Sequence, residues 1–354
     1  MPRGFSRPST AVWAASVSDA AFLADYLPAA REALAYFPVQ AQAIDLVSLS
    51  ENVTFRVTAA PDETQYVLRL HRPGYNTLQE LESERIWGNA LGDAGIPVQV
   101  PLRNSAGQHF VRVAIPARAE HRYVGITSWF PGVPIGRLLE PEKKAGLRQQ
   151  SFRKIGKLAA RIHTQSESWR PPANFARRRL DEDGLLGDAP RWGRFWEHAD
   201  LTEEERRLLL HARQHCLEAL HKLGRRSDNF SLIHADLHPG NIVVDGECMG
   251  LIDFDDTAYG WHAYELACAL IEYSDDEDFP ALRAALLEGY RGTRALSKND
   301  EDMLPIFILI RGMSIIGWLH QRPEHADSGY FQETKCRVLA QYQELNGDEV
   351  HTTA

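Results

Sequence analysis

The sequence predicts an α+β protein of two lobes: a small N-terminal lobe on an antiparallel sheet, and a larger, mainly helical C-terminal lobe. Three observations carry this. Short β-prone runs follow one another between residues 41 and 128, and helical periodicity dominates after residue 138. Between them Trp129-Phe130-Pro131-Gly132-Val133-Pro134 forms a stiff Pro/Gly crossing. The domain plan is a helical extension at 1–40, a first lobe at 41–128, a crossing at 129–137, a second lobe at 138–345 and a tail at 346–354.

Residues 18–37 read as a helix opened by a cap at Ser18 and interrupted at Pro28, with Phe22, Leu23, Tyr26 and Leu27 on helical spacing. Strands are expected at Ile44–Leu49, Val53–Thr58 and Tyr66–Leu70, forming an antiparallel meander that turns at Pro61-Asp62. Thr77–Gly92 is a helix with Leu78, Leu81, Ile86 and Leu91 apolar, and it offers Glu80, Glu82 and Glu84 as partners for Arg69 on the preceding strand. Phe110–Ile115 and Tyr123–Trp129 add strands. Beyond the crossing, Phe152–His163 and Leu201–Leu223 are amphipathic helices, whereas Pro171–His198 reads as irregular, with Arg177-Arg178-Arg179 beside Asp181-Glu182-Asp183 as a salt-bridged surface.

The chain has 354 residues, 44% of them hydrophobic and 25% charged, which suits a soluble globular protein. A net charge of −9 argues against nonspecific nucleic-acid binding. Cys216, Cys248, Cys268 and Cys336 lack paired metal-ligand spacing and read as reduced thiols of a cytoplasmic protein. Arg3 and Arg7 precede an Ala-rich run, but Asp19 and Asp25 exclude it as a signal-peptide core. Ile306–Leu319 is short and holds Arg311, so it reads as a buried helix and not a membrane span.

The chemistry concentrates between Ser231 and Asp256. Ile242–Val244 and Met249–Ile252 flank Asp245-Gly246, a turn pair that accepts positive φ, so a tight hairpin carries Asn241 at one root and Asp253 at the other. An amide oxygen and a carboxylate brought together this way suit Mg²⁺, which takes oxygen ligands and shares them with phosphates. Asp236 precedes Asn241 by the Asp-to-Asn spacing of a kinase catalytic loop, where the Asp accepts the proton of the attacking hydroxyl. Asp253-Phe254-Asp255 stands where kinases carry Asp-Phe-Gly, and His234 takes the position of the loop's first His.

Other readings compete. An isolated His-x-Asp is usually a turn, and His234, Asp236 and His238 with Asp253, Asp255 and Asp256 offer ligands to a metal-dependent hydrolase, although no later His-rich pairing completes a two-metal set. After the hairpin, Trp261–Ala267 starts a helix, and Glu272–Asp278 forms an acidic patch that is either solvated or attracts a cationic acceptor.

Over roughly residues 40–340 the chain resembles the aminoglycoside phosphotransferase and choline kinase superfamily, which has a protein-kinase-like fold, nearest the branch of type II homoserine kinases and the bacterial stress-response kinase. His234-Ala235-Asp236-Leu237-His238-Pro239-Gly240-Asn241 and Ile252-Asp253-Phe254-Asp255-Asp256 carry the resemblance, supported by Glu51–Val57, Val67–Pro73, Ser83-Glu84 and Gly317-Trp318-Leu319. It implies an ATP- and Mg²⁺-dependent transferase acting on a small hydroxyl acceptor, with Asp236 as base and Asn241 and Asp253 on the metal. Arg69, paired with Glu84, would grip the phosphates in place of the usual Lys, and Ser50 lies in the turn that covers them, although that turn (Ser50-Glu51-Asn52) has no glycine. Adenine would meet the backbone of Thr127, Ser128 and Trp129, and His234, His238 and Asp255 are supporting residues. Glu265 occupies a position where the family often has an Asp that steadies the catalytic loop. The expected state is a cytoplasmic monomer or homodimer with no membrane or nucleic-acid partner. A protein Ser/Thr kinase and a nucleotide-binding pseudoenzyme are alternatives; the absence of an Ala-Pro-Glu motif and the short chain between Asp255 and Tyr264 leave little room to dock a peptide.

Overall fold

The computed structural model describes residues 17–49, 52–139, 145–323 and 329–352. The chain divides into two compact units, one of Met1–Arg137, Pro171–Ala176 and Gly240–Asp255, the other of Leu138–Arg170, Arg177–Pro239 and Asp256–Ala354.

In chain order the elements begin with helix α1 (Val17–Leu34), strands β1 (Ala41–Leu49), β2 (Val53–Ala59) and β3 (Gln65–Leu70), and helix α2 (Leu78–Asp93). Strands β4 (Phe110–Ile115), β5 (Glu120–Ser128) and β6 (Val133–Pro134) lead to helix α3 (Ala145–Ser168), strand β7 (Arg178–Leu180) and helices α4 (Glu182–Leu186) and α5 (Glu203–Leu223). Strands β8 (Phe230–Ile233), β9 (Ile242–Asp245), β10 (Cys248–Leu251) and β11 (Ala258–Trp261) follow. Helices α6 (His262–Leu270), α7 (Phe279–Arg291), α8 (Lys298–Asp302), α9 (Leu304–His320) and α10 (Gly329–Thr352) complete the chain.

The first unit is organised by an antiparallel sheet in the order β1-β2-β3-β5-β4. Alternation along the strands sends Val53, Phe55, Val57, Leu68, Leu70, Val113, Ile115, Val124 and Ile126 into one core, closed by Tyr26, Ala30, Ala33 and Leu34 of α1. Ser18 lies inside α1 rather than capping it, and the helix runs on through Pro28. Losing the hydrogen bond at an internal proline costs about 3 kcal/mol. Fully buried Ala30 and Ala33 let the helix backbone lie close on the sheet, and we attribute its persistence past Pro28 to that packing. Helix α2 starts at a capping box: Thr77 Oγ1 accepts from Glu80 N–H at 3.2 Å, and Glu80 Oε2 accepts from Thr77 N–H at 2.8 Å.

A second sheet of this unit joins β10, β9 and β6. The expected hairpin forms with Ile242 opposite Leu251 and with Gly246 at φ +58°. The Pro/Gly stretch is not a bare crossing, because Val133 and Pro134 pair with β9. Gly132 makes this possible at φ +110°, where a Cβ would collide with the Val244 carbonyl.

The second unit is mainly helical around a small sheet in which β11 runs antiparallel to β8 and parallel to β7. The segment 171–198, expected to be irregular, holds β7, α4 and a short 3₁₀ turn at Phe195–Glu197. Such short pieces show no period in sequence, and β7 exists through its pairing with β11. Helix α9 is buried along nearly its whole length, and among the described residues no helix is long and apolar enough to cross a membrane. Helix α10 continues to Thr352, through positions the sequence reading leaves as a tail.

Candidate functional site

In the first unit, strand β3 places Arg69 between Thr54 of β2 and Gly125 of β5. Its Nη1 lies 3.0 Å from Asp253 Oδ1 and 3.5 Å from Asp255 Oδ1. The expected pairing with Glu84 is not a direct contact: Glu84 Oε1 lies 3.5 Å from Arg85 Nη1, and Oε2 is buried with no hydrogen-bond partner among the described residues. Arg69 instead has two carboxylates in the segment after the hairpin, and a helix glutamate offers only a longer-range field. Burial opposes the Arg69 charge, but Asp253, Asp255 and Glu84 together outweigh it and raise its pKa. Arg69, Glu84, Thr127 and Asp253 line one cavity with Val67 and Phe254.

The hairpin brings the expected metal ligands to adjacent backbone positions, because Ile252 N–H donates to the Asn241 carbonyl at 3.0 Å and Asp253 follows directly. Asp253 has φ +64°, a left-handed conformation that side chains adopt reluctantly and that functional sites often hold. Phe254 packs edge-on against Trp87 of α2 at 5.7 Å. Asp255 is bonded from several directions. Asn52 Nδ2 donates to its carboxylate, His71 Nδ1 lies 3.6 Å from it, and its carbonyl accepts from Asn76 Nδ2 at 3.1 Å. Burial raises the Asp255 carboxyl, yet Arg69, His71 and Asn52 drive it well below the usual carboxylate range. Asn52 Oδ1 also accepts from Arg72 N–H at 3.0 Å, so Asn52 ties the end of the β1–β2 turn to β3 and Asp255. Ser50, like Glu51, Arg3 and Arg7, lies outside the described residues.

At the stretch expected to meet adenine, the Ser128 N–H bonds the Val100 carbonyl at 2.8 Å and the Trp129 N–H bonds the Gln65 carbonyl at 3.0 Å. Those two donors are therefore engaged within the unit, because residue 128 closes a bridge to a neighbouring loop that sequence does not reveal. The Ser128 carbonyl accepts from Gln99 Nε2 at 3.3 Å and retains a second lone pair. Thr127 is buried and faces the Arg69 cavity.

In the second unit, Asp236 stands on the loop after β8. The loop is held by Glu265 of α6, fully buried, whose Oε1 accepts from His234 N–H at 2.8 Å and whose Oε2 accepts from Ala235 N–H at 2.7 Å. The added methylene relative to Asp thus does not prevent Glu265 from reaching the loop. Ala235 has φ +64°, a conformation those two bonds help to maintain. Burial raises the Glu265 carboxyl, partly offset by His234 and the two amides. His234 is fully buried within the loop, and His238 Nε2 lies 3.5 Å from Asp236 Oδ2. Arg311 of α9 donates to Asp236 Oδ1. Burial alone would raise the Asp236 carboxyl, but His238, Arg311 and His234 together hold it below its ordinary value.

In the sequence, Arg311 argues only against a membrane span. Its signal was present: a lone cation in an apolar helix must find a carboxylate once buried. His71 and Asn52 were also missed as partners of Asp255. The acidic patch is largely committed within the protein. Asp276 and Asp278 bind Arg148 at 2.5 and 2.8 Å, and Asp275 binds Arg337 at 2.7 Å, which leaves little of its charge to attract a ligand. Glu272 differs, because its Oε1 accepts a hydrogen bond from the Tyr330 hydroxyl at 3.4 Å. Among the described residues no three His, Cys, Asp or Glu side chains gather as a metal-holding group.

The model of a phosphotransferase enzyme family matches residues 45–298. The chain is 30% identical to the solved microcompartment-associated aminopropanol kinase, with a TM-score of 0.75 over 90% of this chain and 94% of that one. It shares the fold of an amicoumacin kinase solved with AMP-PNP and Ca²⁺, at 20% identity and a TM-score of 0.72 over 93% of this chain and 100% of that one. A homoserine kinase of Gluconobacter oxydans is 30% identical over 226 residues, 61% of this chain and 62% of the relative.

Proposed function

The chain belongs to the phosphotransferase enzyme family, and we propose that it moves the γ-phosphoryl group of Mg-ATP to the hydroxyl of a small amino alcohol. Its fold is the protein-kinase-like α+β fold, and its class is that of small-molecule kinases acting on an alcohol group. The observation that carries the reading is Asp236: a carboxylate kept ionised beside Arg311 and His238, on a loop whose backbone is fixed by Glu265.

In this reading Asp236 accepts a hydrogen bond from the acceptor hydroxyl and aims it at the phosphorus. A carboxylate with a lowered pKa is a weak base toward an alcohol. Its main contribution is therefore orientation, and the proton moves late, as suits a loose phosphoryl transition state. Arg69 offers its guanidinium to the phosphate oxygens, held in place by Asp253 and Asp255. Asn241 and Asp253 fit Mg²⁺: both offer hard oxygen donors, they are backbone neighbours across the hairpin, and the Asp253 side chain is 39% exposed. Bound there, the cation would neutralise phosphate charge. Glu84 supports Arg69 through its field, and Thr127 with the Ser128 carbonyl forms the wall for the base.

Support for an amino alcohol comes from the likeness to the aminopropanol kinase and from Glu272. That carboxylate, close to Tyr330, is suited to an ammonium group, whereas Asp275, Asp276 and Asp278 are tied to arginines. The test is a screen of aminopropanol, ethanolamine, choline, homoserine and sugars for acceptor-dependent ADP release with Mg-ATP. The reading predicts turnover with an amino alcohol; ADP release indifferent to every acceptor contradicts it.

A further inference from the structure

We infer that Arg311 is a positioning residue for phosphoryl transfer, fixing the Asp236 carboxylate in the orientation that receives the acceptor hydroxyl. The inference rests on the kinase reading above and concerns a residue of α9 that lies 75 positions from Asp236 in sequence.

Helix α9 reads Leu-Pro-Ile-Phe-Ile-Leu-Ile-Arg-Gly-Met-Ser-Ile-Ile-Gly-Trp-Leu-His, and Arg311 is its one permanent charge. Its neighbours Ile308, Leu309, Ile310, Gly312 and Met313 are buried, and the Arg311 side chain is itself only 13% exposed. Taking a guanidinium out of water is unfavourable unless a carboxylate compensates it. A methionine or leucine would fill this place more cheaply if packing were the sole requirement.

The guanidinium is held on three sides within the second unit. It donates to Asp236 Oδ1, its Nη1 lies 3.5 Å from the Tyr264 hydroxyl, and it stacks over the Trp192 ring at 5.7 Å. The base of the side chain is equally constrained. Gly317, less than two turns further along α9, brings the helix so close to the Trp192–Gly193 backbone that a Cβ there would lie 3.1 Å from the Trp192 carbonyl oxygen. Helix α9 and the aromatic floor under Arg311 are thus fixed against each other, and the guanidinium inherits that precision.

Of the groups that act on Asp236, His238 and His234 carry charge only when protonated, whereas Arg311 is cationic at every working pH. Glu265 fixes the backbone of the loop through His234 and Ala235, one residue before Asp236. Arg311 is the permanent cation on the Asp236 carboxylate, holding Oδ1 while His238 Nε2 lies 3.5 Å from Oδ2. Displacing a reacting group by about 1 Å can reduce turnover about 100-fold, so losing this restraint should appear in kcat.

The experiment compares wild type, Arg311→Met, Arg311→Lys, Asp236→Asn and the Arg311→Met/Asp236→Asn double variant, with Mg-ATP and the best amino alcohol from the screen. Thermal melts accompany each to confirm folding. Arg311→Met should lower kcat about 30- to 100-fold with KM for ATP within about twofold, and Arg311→Lys should recover part of the loss. In the Asp236→Asn background, Arg311→Met should cause no further loss, which a merely structural arginine would not produce. A folded Arg311→Met with kcat within threefold of wild type overturns the inference, as does an equal loss with and without Asp236. If Arg311→Met does not fold, Arg311→Lys decides: unchanged kcat overturns the proposal, and a tenfold loss in a protein of wild-type melting temperature upholds it. Wild type without acceptor-dependent turnover overturns the kinase reading and this inference with it; active wild type with indifferent Arg311 variants overturns this inference alone.

Discussion

Replacing Asp255 by Asn removes one negative charge from the first unit while keeping the side chain's shape. The wild-type carboxylate is 7% exposed, lies 3.5 Å from Arg69 Nη1 and 3.6 Å from His71 Nδ1, and receives the Asn52 amide. Removing one partner of a buried ion pair typically destabilises by about 3–5 kcal/mol. Arg69 retains Asp253 at 3.0 Å, so we expect about 2–3 kcal/mol here. At roughly 2–4 °C per kcal/mol for a unit of 150–250 residues, the melting temperature should fall by about 4–12 °C. Circular dichroism melts measure this. KM for ATP should rise in the same variant, because Arg69 loses one of its two carboxylates and Asn52 no longer donates to a charged oxygen. A shift below about 2 °C with unchanged KM would show that Asp255 does not organise this cluster.

The pH dependence follows from the same carboxylate. Its folded pKa lies below the unfolded value of about 3.9, so its contribution is complete above that value and is lost as pH falls through the folded one. Wild type should therefore lose stability more steeply than Asp255→Asn as pH falls below about 4, and urea midpoints measured from neutral pH down through that value check the difference. Glu265→Gln leaves one oxygen for two buried N–H groups, a loss of about 1–3 kcal/mol, and should lower kcat about tenfold or more with KM for ATP retained; unchanged kcat refutes the loop's dependence on it. Glu272→Gln should raise KM about tenfold for a charged amino alcohol and leave a neutral alcohol unaffected, and equal effects on both would remove Glu272 from acceptor recognition.

The sequence showed most where spacing is local. Asp236, Asn241 and Asp253 sit on one loop and hairpin whose turn residues, Asp245-Gly246, specify the register directly. The strands from β1 to β5 are legible for the same reason: period two and Gly/Pro punctuation are short-range patterns. What remained hidden is long-range. Arg69 was visible as a strand cation, but its choice of Asp253 and Asp255 over Glu84 depends on how the hairpin segment packs beside β3. Arg311 meets Asp236 only because α9 packs on α6 and the Trp192 turn. The acidic patch looked available in sequence because Arg148 and Arg337 are distant along the chain. Pro28 looked like a stop because the packing of α1 on the sheet has no local signature.

The most direct measurement is ³¹P NMR of the wild type and Asp236→Asn with ATP, Mg²⁺ and an amino alcohol, alongside Mg-ATP binding by calorimetry. The account predicts a new phosphomonoester resonance with wild type. For Asp236→Asn it predicts Mg-ATP binding within about threefold of wild type and a turnover lower by about 10²- to 10⁴-fold. Phosphomonoester formed by Asp236→Asn at the wild-type rate would contradict it.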